Sequence, residues 1–242
     1  MIEVFCSLLL ILLAILLSYF EKLDLERDIL IATIRAFFQL MAVGLAIHLI
    51  FEIDDMRMVI IMIGVMVAIA GYTSGIRVAY VPNSMAYALL AISLSTSIIL
   101  GIMLVFDIIY LSPRYVIPIA GMVIGNSMTV ASLSMDRLHN EIRSNWSIIE
   151  GAISLGASNK QASRSYLKNS IRVAMISSID TTKTVGLVYL PGGMAGMILG
   201  GAAPIDAVKL QIIIMYMLIA AAMITSMVVS YASCRALLPS SR

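Results

Sequence analysis

Two pairs of polar residues stand one helical turn apart in or beside apolar stretches of this chain: Arg35 with Gln39, and Asp180 with Lys183. A charged side chain is costly in hydrocarbon, so a buried Arg35 must face a cavity or a carboxylate partner. That is the chemistry of a solute pathway or its gate, with a purely structural ion pair as the alternative. Asp180 and Lys183 can pair with each other or with Arg35 if their helix enters the membrane near residue 172, and are merely interfacial if it enters at 184. Asn126 belongs to the same polar set. It follows Gly121 and Gly125, a small-xxx-small spacing that favours close helix approach and a subunit interface.

Bond-making chemistry finds little support. The glycines Gly192-Gly193, Gly196 and Gly200-Gly201 lack the lysine with which a P-loop reaches phosphates. His48 and His139 stand alone, without ligands at zinc spacing. No nucleophile setting such as G-x-S-x-G occurs. The 18 methionines, Met122, Met128, Met194 and Met197 among them, offer either soft thioether ligands or adaptable packing, and the metal question stays open. Cys6 and Cys234, each inside a long apolar run, read as small hydrophobes rather than a disulfide.

The elements that must carry these residues follow from composition. The chain is 61% hydrophobic and 12% charged, with a mean hydropathy of +1.01. A water-soluble domain has about 25% charged residues, so this surface belongs in lipid. The net charge of +2 is dispersed, which sets nucleic acid aside. A bilayer core of about 30 Å takes about 20 apolar residues as a helix. Such runs occur at roughly 2–20, 29–51, 57–73, 84–106, 115–134 and 205–233. Glu3 and the absence of a small-residue cleavage site make the first a retained span rather than a leader. A sixth span is either a helix over about 172–190, with Gly192–Pro204 folding back, or a helix over 184–203 broken at Pro191-Gly192-Gly193. The expectation is an all-α polytopic integral membrane protein of about seven transmembrane helices, a single transmembrane domain over 1–242.

Residues 135–183 hold seven of the sixteen basic residues and read as a large loop outside the lipid. Placing it in the cytoplasm puts twelve basic residues inside and only Arg57, Arg114 and Lys209 outside, with the N-terminus external and the C-terminus cytoplasmic in the inner (plasma) membrane. Within this loop, Trp146–Leu155 has helical spacing, Gly156 permits a left-handed turn, and Ser158 with Gln161 makes a capping box. The next helix carries an apolar stripe of Ala162, Tyr166, Leu167, Ile171, Ala174 and Met175 beside a basic face of Arg164, Lys168 and Arg172. A short helix held off the membrane in this way can dock into a groove on a soluble partner.

The segment Glu150-Gly-Ala-x-x-x-Gly156-Ala157-Ser158-x-x-Gln161 resembles the E-A-A-x-x-x-G loop of ABC-transporter permeases, whose coupling helix sits in a cleft of the ATPase subunit. Gly151 stands where that motif has alanine, and the Leu-Pro common in importers is absent. A broader resemblance spans nearly the whole chain. Arg35-x-x-x-Gln39-Leu40, Gly125-Asn126-Ser127-Met128, Ile179-Asp180-x-Thr182-Lys183-Thr184 and Leu190-Pro191-Gly192-x-Met194-x-Gly196 through Pro204 are similar to the permease family of Fet-type bacterial iron exporters and plant aluminium-tolerance permeases, for which sugar-nucleotide export has been proposed.

The resemblance implies an ABC permease, most simply two copies with two separate ATPase subunits that bind the ATP and Mg, and no cofactor in this chain. Glu150, Ala152, Leu155, Gly156, Ala157, Ser158 and Gln161 would meet the ATPase, and export of a metal such as iron or of a small polar metabolite is the expected activity. The E-A-A-like loop is itself commonest in importers, so direction and substrate stay open. The alternatives are an ion- or proton-coupled secondary transporter or channel without an ATPase, or a membrane scaffold.

Overall fold

A computed structural model describes residues 2–53 and 55–238, with side chains from Leu8 onward except at residues 52 and 53. Glu3 and Cys6, used above for the first-span and thiol readings, and Arg242, one of the twelve basic residues placed inside, lie outside the described side chains. The chain is all-α among the described residues and divides into two compact units, Met1–Asp55 and Met56–Arg242.

The first unit is α1 (Ile2–Glu21) and α2 (Glu26–Ile53). Their connection bends through left-handed backbone at Lys22 (φ 53°) and Asp24 (φ 56°). The buried Ser18 holds this turn, donating its hydroxyl to Glu26 at 2.7 Å and accepting the Leu25 N–H at 3.2 Å.

The second unit contains α3 (Met56–Arg77), α4 (Ser84–Val105), α5 (Pro113–Ser144), α6 (Trp146–Ser154), α7 (Asn159–Thr184), α8 (Gly192–Leu199) and α9 (Pro204–Leu237). Helix α5 is central and packs on α3, α4, α7 and α9. Small side chains permit this: Ala88, Ala91, Ala120, Ala131, Ala221 and Ala222 are fully buried at the contacts, together with Ile92 and Val123. Hydroxyl pairs lace the same contacts, Ser95 with Ser127 at 3.0 Å, Ser74 with Ser132 at 3.1 Å, and Ser134 with Ser226 at 3.0 Å. In lipid, where apolar burial drives little association, close packing and such hydrogen bonds hold helices together. Within this chain the tightest glycine contacts are on α3; Gly121, expected at a close helix approach or a subunit interface, would bring a Cβ 3.2 Å from the Met66 side chain of α3. A Cβ at Gly125 would meet nothing, whereas one at Gly75 would lie 2.6 Å from the Met85 Cα and one at Gly71 would lie 2.3 Å from Leu89. The small face of α3, not α5, brings two backbones together.

Five described helices are long and apolar enough to cross a membrane: Glu26–Phe51, α3, α4, α5 and α9. The chain is therefore a multi-pass membrane protein. The expected first span corresponds to the 20-residue α1 (Ile2–Glu21), whose side chains are described only from Leu8; the difference from the expected seven among the described residues lies at the sixth position. There α7 runs unbroken to Thr184 but carries Lys160, Arg164, Lys168, Arg172, Asp180 and Lys183. A span over 184–203 does not form, because residues 185–191 leave the helix and the chain resumes only as the short α8, which packs on α9.

The expected loop over 135–183 is almost wholly helical. Polar residues end the lipid-facing pattern at 134, yet α5 continues to Ser144, because Leu138 and Ile142 find a second apolar core with Ile149, Leu167, Cys234 and Leu238.

Candidate functional site

The first candidate surface is α6 and the turn after it. Ile149 is fully buried in that second core and Ile153 packs against it, which fixes how α6 sits on α5, α7 and the end of α9. Its other side points outward, with Ile148 63%, Trp146 37% and Leu155 92% exposed, and Glu150 and Gly151 exposed beside them. The helix then ends in a Schellman turn. Gly156 takes φ +96°, its N–H bonds to the Ile153 carbonyl at 2.9 Å, and the Ala157 N–H reaches the Ala152 carbonyl at 3.0 Å. The next residue starts α7: the Ser158 hydroxyl accepts the Gln161 N–H at 3.3 Å, and the Gln161 side chain accepts the Ser158 N–H at 2.9 Å. The helix, turn and helix expected from Gly156, Ser158 and Gln161 are thus formed. On α7, Leu167, Ala174 and Met175 are buried and Ala162, Tyr166 and Ile171 half-buried, while Arg164, Lys168 and Arg172 are exposed.

The polar pathway candidates separate. Arg35 and Gln39 are exposed on α2 in the first unit, and Arg35 has no hydrogen bond or ion pair among the described residues. Asp180 and Lys183 pair with each other at 3.6 Å, with side chains 60% and 70% exposed. Asn126 is half-buried on α5 and donates to the Leu218 carbonyl of α9 at 3.0 Å. A cavity of about 80 Å³ opens there between α5, α7 and α9, lined by Asn126, Ser177, Ser178, Thr181 and Thr182 against Met215, Leu218 and Ile219. These α7 hydroxyls were missed in the sequence, although the run Ser177-Ser178-Ile-Asp180-Thr181-Thr182 carries two at helical spacing on either side of the aspartate.

Pro191 caps α8, with Gly192 and Gly193 as its first residues. The preceding loop closes at Gly186 (φ +81°), whose N–H meets the Tyr189 carbonyl at 3.0 Å, and the Tyr189 phenol donates to the Thr181 carbonyl at 3.4 Å. A Cβ at Gly193 would lie 3.7 Å from the buried Gln211 of α9. The broken segment is thus seated on the pocket-forming helices. Among the described residues no group of three or more His, Cys, Asp or Glu side chains could hold a metal.

The α3–α4 turn supplies a further polar cluster that spacing did not reveal. The Tyr80 phenol donates to Asp136 of α5, its ring lies 4.8 Å from that of His139, and Asn140 donates to the same carboxylate at 3.2 Å. Burial, then the hydrogen bond and charge of Asp136, push the Tyr80 hydroxyl up to about 12.

The profile described as "Uncharacterised protein family (UPF0014)" matches residues 1–238. The chain is 38% identical over 231 residues to Protein ALUMINUM SENSITIVE 3 of Arabidopsis thaliana, covering 96% of this chain and 85% of that protein. To the Probable iron export permease protein FetB of Escherichia coli K12 it is 37% identical over 229 residues, 95% of this chain and 88% of the relative. It is also 37% identical over 218 residues to the UPF0014 membrane protein STAR2 of Oryza sativa subsp. japonica, 90% of this chain and 76% of that one. No solved structure matches.

Proposed function

We propose, from the premise that the chain belongs to the UPF0014 family, that it is the transmembrane permease subunit of an ABC transporter, acting as an exporter of a metal such as iron or of a small polar metabolite. It forms one permease domain over 1–242 in the plasma membrane, N-terminus outside and C-terminus in the cytoplasm, and works as a homodimer with two ATPase subunits that bind the ATP and Mg. The observation that carries the reading is α6: a nine-residue helix anchored by Ile149 and sharply ended at Gly156, yet presenting Ile148 and Leu155 outward. An exposed apolar helix face on a rigid mount is what a groove on a soluble partner recognises. A relative named as an iron export permease supports the transport half of the proposal.

In this reading Glu150, Ala152, Leu155, Gly156, Ala157, Ser158 and Gln161 meet the ATPase, and its closure moves α5, α7 and α9 together, because all three share the second core with α6. The hydroxyl-lined cavity at Asn126 lies between those same helices. Asn126, Asp180 and Lys183 in the second unit, and Arg35 and Gln39 in the first, are each assigned to the pathway or its gating, and Pro191-Gly192-Gly193 to the helix break.

The test is coupling. Glu150→Lys reverses a charge on the exposed face, and Gly156→Pro forces φ near −65° where the turn needs +96°. Both variants are expected to insert normally while transport driven by the co-expressed ATPase disappears. Normal ATP-coupled transport in either variant removes this loop from the coupling surface.

A further inference from the structure

The first turns of α7 and the last turns of α9, cytoplasmic in the orientation proposed above, enclose a second cavity, about 660 Å³ and outside the polar pocket at Asn126. Its lining brings Lys160 and Arg164 from the first turns of α7 together with Arg235 from the last turn of α9, and adds Leu167, Leu238 and Tyr231. Among the described residues no carboxylate lines it. Among the described residues none of the three cations has an ion pair. Three cations around one concavity without a described counter-charge, from two elements distant in sequence, call for an anion.

The depth of the cavity identifies the source of that anion. Helix α9 is 34 residues long, about 51 Å at 1.5 Å per residue, so its last turns emerge from a hydrocarbon core of about 30 Å. Met223, Met227, Tyr231 and Arg235 follow at four-residue intervals, hence along one face, and the first three are 42%, 41% and 49% exposed. This face runs from lipid-facing methionines through a tyrosine at headgroup level to a guanidinium at the cavity. A ligand with a phosphate at one end and an acyl chain at the other matches that sequence of surfaces.

We infer that Lys160, Arg164 and Arg235 form a binding site for the phosphate of an anionic phospholipid, whose acyl chains lie along the Met223–Met227–Tyr231 face of α9. Such a lipid would brace the first turn of α7 against the end of α9.

The test uses the purified full chain and native mass spectrometry, titrated in separate arms with phosphatidylglycerol, phosphatidylcholine and inorganic phosphate. Phosphatidylglycerol is expected to be retained over phosphatidylcholine, with about a fivefold loss of affinity for each of Lys160→Gln, Arg164→Gln and Arg235→Gln and about a hundredfold loss for the triple variant. Lys209→Gln, at the other end of α9, should change nothing. Equal retention of the two lipids, or undiminished phosphatidylglycerol binding in the variants, overturns the site. Inorganic phosphate that binds as tightly and is lost in the same variants overturns the lipid as its source. Should the triple variant fail to fold, the three single variants decide the matter.

Discussion

At the scale of single residues, Arg35 is the sharpest discriminator. A charge near the middle of an apolar helix carries about +2.5 to +3.5 kcal/mol on insertion scales, so alanine inserts more easily. Arg35 has no ion partner among the described residues, so its removal strands no buried carboxylate within them. Arg35→Ala is therefore expected to keep its thermal midpoint and lose transport, with partial rescue in Arg35→Lys, which retains charge without the planar donor fork. Equal losses of stability and transport would instead mark a structural ion pair. Tyr80 makes a different prediction. Its hydroxyl is raised from 10.0 to about 12, so the protonated phenol's bond to Asp136 stabilises the fold fully below pH about 10 and is lost as pH rises toward about 12. Melting across that interval should fall more steeply in wild type than in Tyr80→Phe, and coincident curves would dismiss the contact. Neither Tyr80 nor its partner was legible in the sequence, because 56 positions separate them and no local pattern marks the pair.

At the scale of elements, the α3–α4 contact depends on absent side chains. Gly75→Ala would place a methyl 2.6 Å from the Met85 backbone, forcing the helices apart at about 1–3 kcal/mol, a typical overpacking cost. Gly125→Ala meets open space and should shift stability by less than about 0.5 kcal/mol. Thermal unfolding of both variants in detergent checks the contrast, and equal midpoints would refute this account of the packing. The comparison also marks where sequence reading stops. Gly121 and Gly125 have the same spacing as Gly71 and Gly75, so spacing cannot say which pair meets a neighbour's backbone and which only the tip of the Met66 side chain. The α6–α7 junction was legible because its rules are local: a left-handed glycine and a serine three residues before a glutamine act within one turn of chain. The extension of α5 beyond residue 134 was not, since it depends on Leu138 and Ile142 meeting Leu167 and Cys234 from elsewhere.

At the scale of the whole molecule, the proposed orientation predicts that single cysteines at positions 143 and 160 react only with reagents reaching the cytoplasm, and one at position 209 only from outside. External labelling of 143 would invert the topology and move α6 away from any cytoplasmic ATPase. The membrane character of the chain was plain from composition, whereas the number of spans was not, because α7 combines a helix long enough to cross with six charges that hydropathy counts against it. The unbroken length of α5 has a mechanical consequence. Its 32 residues make a rod of about 48 Å, and its one internal proline, Pro118, lies near the end remote from α6. A rod without a mid-length break does not absorb displacement locally. A sideways push of about 3 Å at its α6 end, pivoting at the other, would tilt it by about 4°, given the rise per residue of an α-helix. Movement at its middle, where Asn126 sits, would be about half that at the tip, so the helix would act as a reducing lever that converts a large stroke at one face of the membrane into a small, stiff one within it.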